Sequence, residues 1–524
     1  VLDWSRKYFS WNSRRQLFVF WRSSQKGQIT WFTWGIYIEL PSPIYLDGNS
    51  IVARRNEMGG IVKSISYAVV SNGVSFVSSA LITLIVPKIL SVESYGYFQL
   101  YLFYLSYIGF CCFGWVDGIV LRYAGRYYES LNYSSLKTQF IIFCITQMVI
   151  SGAFMTGVTV LVEDSQAREV YLLLGVAIVF SMPCSFLRYL LQAVGKIREY
   201  SINLLLERVV YTGLVLIALA VGIENFFWLI IADLIGKAIS LFESLFECKE
   251  IIKAPRSSWY EAICEGKRNV SCGVKLLVAN GASLFIVGIV RYAVQVRWDV
   301  VAFAKVSFAL SISNLFMVFI RAVSVVLLPN LKRTQLDRLP DMYQKIRSLL
   351  MVVLFAMLTG YYRLSKVLGA WLPQYAESLR YMGLLFPICI FESKNTLLIE
   401  TYLKAYRKEK ILLAINCLTV LLSLALTGIT VFILSDLNLA MLSVVVLLWF
   451  RCTVSEIYIE KVISRGLKKD IAVETYLVIT FIFCSWFMRN WQGSILYFGV
   501  YIAYLLVYER KNMCAFIATL RRKR

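Results

Sequence analysis

Val170-Tyr171-Leu172-Leu173-Leu174-Gly175-Val176-Ala177-Ile178-Val179-Phe180-Ser181-Met182-Pro183-Cys184-Ser185-Phe186-Leu187 is a stretch of eighteen residues without a charge. A run of that length and apolarity is long enough to cross a bilayer as a helix. It is one of many. Working outward in both directions, apolar runs recur near 64–86, 97–121, 139–162, 170–194, 201–223, 226–247, 273–290, 300–328, 348–370, 381–403, 411–434, 438–460, 472–488 and 491–509. The chain of 524 residues is 59% hydrophobic and 16% charged, with a mean hydropathy of +0.66. Soluble domains run at about 45–50% apolar and about 25% charged. These figures exclude an ordinary soluble protein and a disordered one, and predict an all-α polytopic membrane protein with about fourteen transmembrane helices.

The formal net charge is +22, and its placement matters more than its size. Alternate connections between runs carry 31 Lys and Arg, against 8 (Lys88, Arg168, Arg291, Arg297, Arg363, Lys366, Arg380, Arg489) in the intervening ones. Basic residues favour the cytoplasmic side, so the pattern predicts a multi-pass protein with both termini cytoplasmic. It also disfavours nucleic acid as a partner, because the charge is spread over seven short segments. The sequence has no histidine, which removes His-based triads, His-ligated zinc and His proton shuttles. The twelve cysteines form no CxxC pair, and most read as small buried hydrophobes rather than metal or redox groups. No cofactor or metal is expected, and no run has the layout of an amino-terminal signal peptide.

The longest connection, 249–272, contains Pro255-Arg256-Ser257-Ser258 and reads as a cytoplasmic linker between two six-helix lobes, 58–248 and 273–460. A shift of 208 residues lays Ser71-Asn72-Gly73-Val74-Ser75 on Ala279-Asn280-Gly281-Ala282-Ser283, which suggests a parallel pseudo-repeat of the kind transporters use. Residues 461–524 add two further helices and a basic cytoplasmic tail. Residues 1–57, rich in Trp and Arg, stand outside this pattern and read as an amino-terminal extension, either non-native or interfacial.

Ionisable groups within spans are costly and mark function by default. The basic ones are Arg208, Lys237, Lys305, Arg321, Lys394 and Arg451; the acidic ones include Asp117, Glu207, Asp233, Glu243, Glu392, Glu400 and Glu456. Helical spacing puts Ser307, Ser311, Asn314 and Arg321 on one face, and Ser64, Ser71, Ser75 and Ser78 on another. Polar faces of this kind predict an interior away from lipid, although small polar residues also mediate plain helix packing. Tyr97, Tyr101 and Tyr104 form a face suited to sugar stacking or to packing. Pro183 should bend its span.

One region is more specific. Tyr95-Gly96-Tyr97-Phe98-Gln99-Leu100-Tyr101 leads to Gly114-Trp115-Val116-Asp117-Gly118 and Leu121-Arg122-Tyr123-Ala124-Gly125. This resembles bacterial polysaccharide (O-antigen type) flippases of the multidrug/oligosaccharidyl-lipid/polysaccharide exporter superfamily. Weaker echoes are Leu328-Pro329-Asn330-Leu331-Lys332 and Trp371-Leu372-Pro373-Gln374-Tyr375. The resemblance implies two lobes around a cavity that opens alternately to each side of the bacterial inner membrane. It implies no covalent chemistry, and an undecaprenyl-pyrophosphate-linked oligosaccharide as cargo, handed on to polysaccharide polymerase machinery. A pyrophosphate needs cationic partners, for which Arg208, Lys305 and Arg321 are the first candidates and Lys237 and Lys394 the next, with Asn314 beside them. Arg122 would meet the headgroup on loading; Asp117 and Glu392 would carry a coupling cation or proton. Two other readings stay open: another exporter of that superfamily (drug/cation antiporter or peptidoglycan-precursor flippase), and a membrane glycan polymerase or acyltransferase.

Overall fold

The structure, a computed structural model, describes residues 21–23, 29–33, 36–37, 70–333, 339–463, 466–488 and 491–510. Residues 1–65 and 66–524 form separate units. In the first, β1 (Trp21–Ser23), β2 (Ile29–Thr33) and β3 (Ile36–Tyr37) make an antiparallel sheet in chain order, with Trp21 opposite Trp31 and Phe32 opposite Tyr37.

In the second unit every regular element among the described residues is helical. Its elements are α1 (Val70–Ile89), α2 (Val92–Leu105), α3 (Trp115–Tyr123), α4 (Tyr133–Leu161), α5 (Ser165–Ala193), α6 (Ile197–Ala220), α7 (Phe226–Glu247), α8 (Lys249–Lys253) and α9 (Trp259–Arg297). They continue as α10 (Val300–Arg333), α11 (Leu339–Trp371), α12 (Ala376–Leu385), α13 (Ile388–Lys394), α14 (Glu400–Ala405), α15 (Glu409–Thr427), α16 (Leu437–Ile463), α17 (Lys468–Phe487) and α18 (Trp491–Ala503). Ten described helices are long and apolar enough to cross a membrane, or twelve with two bent pairs. The remaining two apolar runs are also helical: α7, which carries Asp233 and Lys237, and α10. Every predicted run therefore coincides with a helix or a bent pair, in order. The chain is a multi-pass membrane protein.

Three differences from the sequence reading have physical causes. The run 97–121 is not one helix, because α2 and α3 meet at 62°. The break falls at Phe113 and Gly114, both with positive φ (49° and 81°), a conformation that stops a helix and that glycine adopts freely. The run 381–403 bends by 44° at Pro387, then passes through a π-helical turn at Asn395–Ile399. Most of the expected linker is helix. Residues 259–272 start α9, held by Glu265 bonding to Arg268 (2.5 Å) and Arg122 (2.7 Å). Ala254–Ser258 alone stays non-helical.

Helices α3 and α9 approach so closely that glycine is required. A Cβ on Gly118 would strike the Asn269 backbone, and one on Gly273 the Gly114 carbonyl. Elsewhere on α9, a Cβ on Gly266, Gly281 or Gly288 would strike the ring of Trp115, Phe110 or Tyr107. At the other end of α9, on the side away from the basic connections, a seal forms. Lys88 Nζ donates to the Trp371 carbonyl (2.8 Å), Trp371 Nε1 to the Leu84 carbonyl (3.0 Å), and Gln374 to the Pro87 carbonyl (2.5 Å). Tyr104 donates to Gln295 (2.6 Å). Tyr375 packs against Phe308 and Tyr95, with centroids 4.8 and 5.5 Å apart. On the opposite side, beyond the spans, Tyr128 donates to Glu250 (3.2 Å) under Lys196. The Glu250 carboxylate is held below its ordinary range by its own backbone N–H, by Tyr128 and by Lys249 and Lys196.

Candidate functional site: a charged cavity among α1, α2, α5, α6 and α7

A cavity of about 470 Å³ lies among these helices. Its walls include Ser79 and Thr83 of α1, Leu102 and Leu105 of α2, and Ser181, Met182, Cys184 and Ser185 around Pro183 on α5. Five ionisable side chains complete it: Arg188, Glu207, Arg208, Asp233 and Lys237. Glu207 lies ten residues into α6, and Lys237 ten residues before the end of α7. At 1.5 Å per residue that is about 15 Å from those helix ends, near the middle of a hydrocarbon layer about 30 Å thick. Charges at that depth persist only with partners or water.

Most have partners. Lys237 Nζ is 2.5 Å from Asp233 and 3.8 Å from Glu207, the first pair one helical turn apart on the same face. Arg188 pairs with Glu207, and donates to Asn203 Oδ1 (2.5 Å) and Ser240 Oγ (2.8 Å). Asn203 also bonds Glu243. Tyr101 donates to Asp233 (2.6 Å), and Ser78 of α1 bonds Thr212 of α6. Arg208 differs: it is exposed and makes no hydrogen bond or ion pair among the described residues. The cavity thus presents three cations against two carboxylates, with one guanidinium outside any hydrogen bond or ion pair among the described residues.

The other sequence candidates lie elsewhere. Lys305 pairs with Glu377 (2.5 Å). Asn314 is exposed on α10; Arg321 belongs to the same helix, but its side chain lies outside the described residues. Lys394 is buried in a solid cluster, bonded to Glu456 and Glu474, where Arg347 also meets Glu456 (3.0 Å), Glu474 (2.7 Å) and Asp470 (3.2 Å). Arg122 is engaged by Glu265 and by Asn269 Oδ1 (2.6 Å). Asp117 is half-buried on α3. Glu392 pairs with Arg451 (3.2 Å). The tyrosine face is internal: Tyr97 donates to Asp164 (2.9 Å), and Tyr101 and Tyr104 are bonded as above. The helix α5 continues through Pro183.

Arg188 is the residue sequence reasoning missed, since it sat among the basic residues of a connection. Its place five residues before the end of α5, one turn beyond Cys184, was the available signal. Arg291 was likewise assigned to a connection. It lies on α9, donating to Ser307 Oγ (2.9 Å) between the rings of Phe103 and Phe303.

No protein-family model matches the sequence, and no curated protein does. Solved structures do resemble it in fold. The lipid II flippase MurJ in an inward closed conformation aligns over 86% of this chain and 100% of its own, with a TM-score of 0.59 and 12% identity. An inward-facing multidrug resistance MATE family transporter of the MOP superfamily aligns over 75% of this chain and 96% of its own, with a TM-score of 0.57 and 12% identity. The fold is that of these transporters.

Proposed function

We propose that this chain is a flippase that carries an undecaprenyl-pyrophosphate-linked oligosaccharide across the bacterial inner membrane by alternating access. The observation that carries the reading is the cavity gathering Arg188, Arg208 and Lys237, the last two about 15 Å from their helix ends. A pyrophosphate entering it would meet Arg208 first, the cation with no competing carboxylate bond. Lys237 and Arg188 would then exchange part of their hold on Glu207 for phosphate oxygens. The sugars would occupy the polar wall of Ser79, Thr83, Ser181 and Ser185, while the prenyl chain stays in lipid. In this reading 58–248 and 273–460 move as two lobes, both termini face the cytoplasm, and Asp117 and Glu392 serve the coupling ion. Arg122 meets the headgroup on loading, and Lys305, Arg321 and Asn314 contribute after it. The seal at Lys88, Trp371 and Gln374 closes the far side, which leaves loading from the side of the basic connections.

Proteoliposomes bearing a fluorescent undecaprenyl-pyrophosphate oligosaccharide test it directly. Wild type should move the label between leaflets, and Arg208→Glu should slow it by at least about tenfold, since a charged hydrogen bond is worth about 1.5–3 kcal/mol. Lys410→Glu, exposed at the start of α15, should not. Equal rates for wild type and Arg208→Glu would overturn the assignment. A second reading, cation or drug antiport, draws support from Glu207 and Asp233 in the same cavity. It requires uptake of cationic dyes driven by an ion gradient, with no flipping of the glycolipid.

A further inference from the structure

A second cavity, of about 290 Å³, lies between α3, α4 and the beginning of α9. Trp115, Ile142, Ile263, Gly266 and Val270 form an almost wholly apolar wall, and Lys267 stands at its edge. Its level in the membrane follows from the length of α9. Thirty-nine residues make a helix of about 58 Å, against a hydrocarbon layer of about 30 Å. The first turns of α9, with Glu261, Glu265, Lys267 and Arg268, therefore pass through the headgroup layer on the side of the basic connections.

Charge and exposure at that level favour an anion with an apolar tail. Glu265 is taken up by both Arg122 and Arg268. Lys267 is exposed and makes no hydrogen bond or ion pair among the described residues. Lys267 is the charged side chain in the groove's lining. Deeper along the same two helices, the exposed side chains Ile145 and Val149 on α4 and Val274 and Val278 on α9 continue the apolar walls turn by turn. Trp115 adds a buried indole N–H with no partner.

We propose that this groove binds an anionic phospholipid from the leaflet facing the basic connections, its phosphate at Lys267 and one acyl chain between α4 and α9. Basic pockets between transmembrane helices on that side hold such headgroups. The site lies outside the charged cavity, so it stands whatever the cargo is.

The test is native mass spectrometry of the purified full chain released from nanodiscs containing phosphatidylglycerol and phosphatidylcholine. Wild type should retain one phosphatidylglycerol in preference to phosphatidylcholine. Lys267→Glu, a surface change that leaves packing untouched, should reduce that retention about tenfold or more. Val270→Trp, which fills the groove, should do the same, and Lys410→Glu should leave it unchanged. Equal retention of the two lipids, or undiminished phosphatidylglycerol in Lys267→Glu, would overturn the site.

Discussion

Two groups of buried charge in this protein look alike in the sequence and behave differently in space. Lys237 and Lys394 each sit inside an apolar run with acidic residues nearby. Lys237 borders a cavity, pairs with Asp233, and shares Glu207 with Arg188. Lys394 is enclosed, with Glu456 and Glu474 bonded to both it and Arg347. Removing one member of a buried ion pair strands its partner at a cost of about 3–5 kcal/mol, whereas removing both can be nearly neutral. Lys394→Ala should therefore lower the thermal unfolding temperature of the purified protein markedly, and Lys394→Met combined with Glu474→Gln should recover most of the loss. Lys237→Met should cost less stability and more transport, because water in the cavity can solvate Asp233. A melting curve and a flipping rate for each variant separate the two roles.

At the scale of elements, the motif Gly114-Trp115-Val116-Asp117-Gly118 turns out to be a packing device. Gly114 lets the chain turn by 62° between α2 and α3, and Gly118 lets α3 lie against the backbone of α9 at Asn269. Backbones that close leave no room for a methyl group, and small residues are how membrane helices achieve such contact. Gly118→Leu should reduce the yield of monodisperse protein severalfold, as judged by size-exclusion chromatography, and Gly73→Ala, where a Cβ meets open space, should not. Pairing across the same seam gives a reciprocal test. Arg122→Glu should lower stability, and Arg122→Glu with Glu265→Arg should restore part of it. Neither α3's break nor its glycine contact could be read from hydropathy, which saw one continuous run from 97 to 121. The overhang of α9 was hidden for the opposite reason: its first turns are polar and look like a loop until Arg122 and Arg268 are seen to hold Glu265.

Across the whole molecule, the conformation is defined by where the sequence-distant ends meet. Leu84 to Tyr104 and Gln295 to Gln374 join on the side away from the basic connections through Lys88, Trp371, Gln374 and Tyr104. Each hydrogen bond is worth about 0.5–1.5 kcal/mol net, so a handful can hold a two-state equilibrium closed and one loss can shift it. Gln374→Ala with Tyr104→Phe should raise the reaction of a cysteine placed at Tyr95, now buried against Tyr375, with a membrane-impermeant maleimide by about tenfold. A background with the native cysteines replaced would make that rate specific.

Hydropathy summed over about twenty residues is a local quantity, and it sufficed to place the fourteen apolar runs, though not the breaks in two of them or ionisable groups such as Arg188, Arg291, Arg347 and Glu474. Basic residues counted by connection belong to the same local order of information. Whether a buried charge faces water, a carboxylate or a ring depends on which helices become neighbours, and that is a property of residues on different helices, 19 positions apart for Arg188 and Glu207 and 80 for Lys394 and Glu474. Arg188 joined Glu207, Lys394 met Glu474, and Arg208 was left without a hydrogen bond or ion pair among the described residues by packing alone. The polar cavity in the first part of the chain, and the solid ion cluster in the second, are decisions of the tertiary structure.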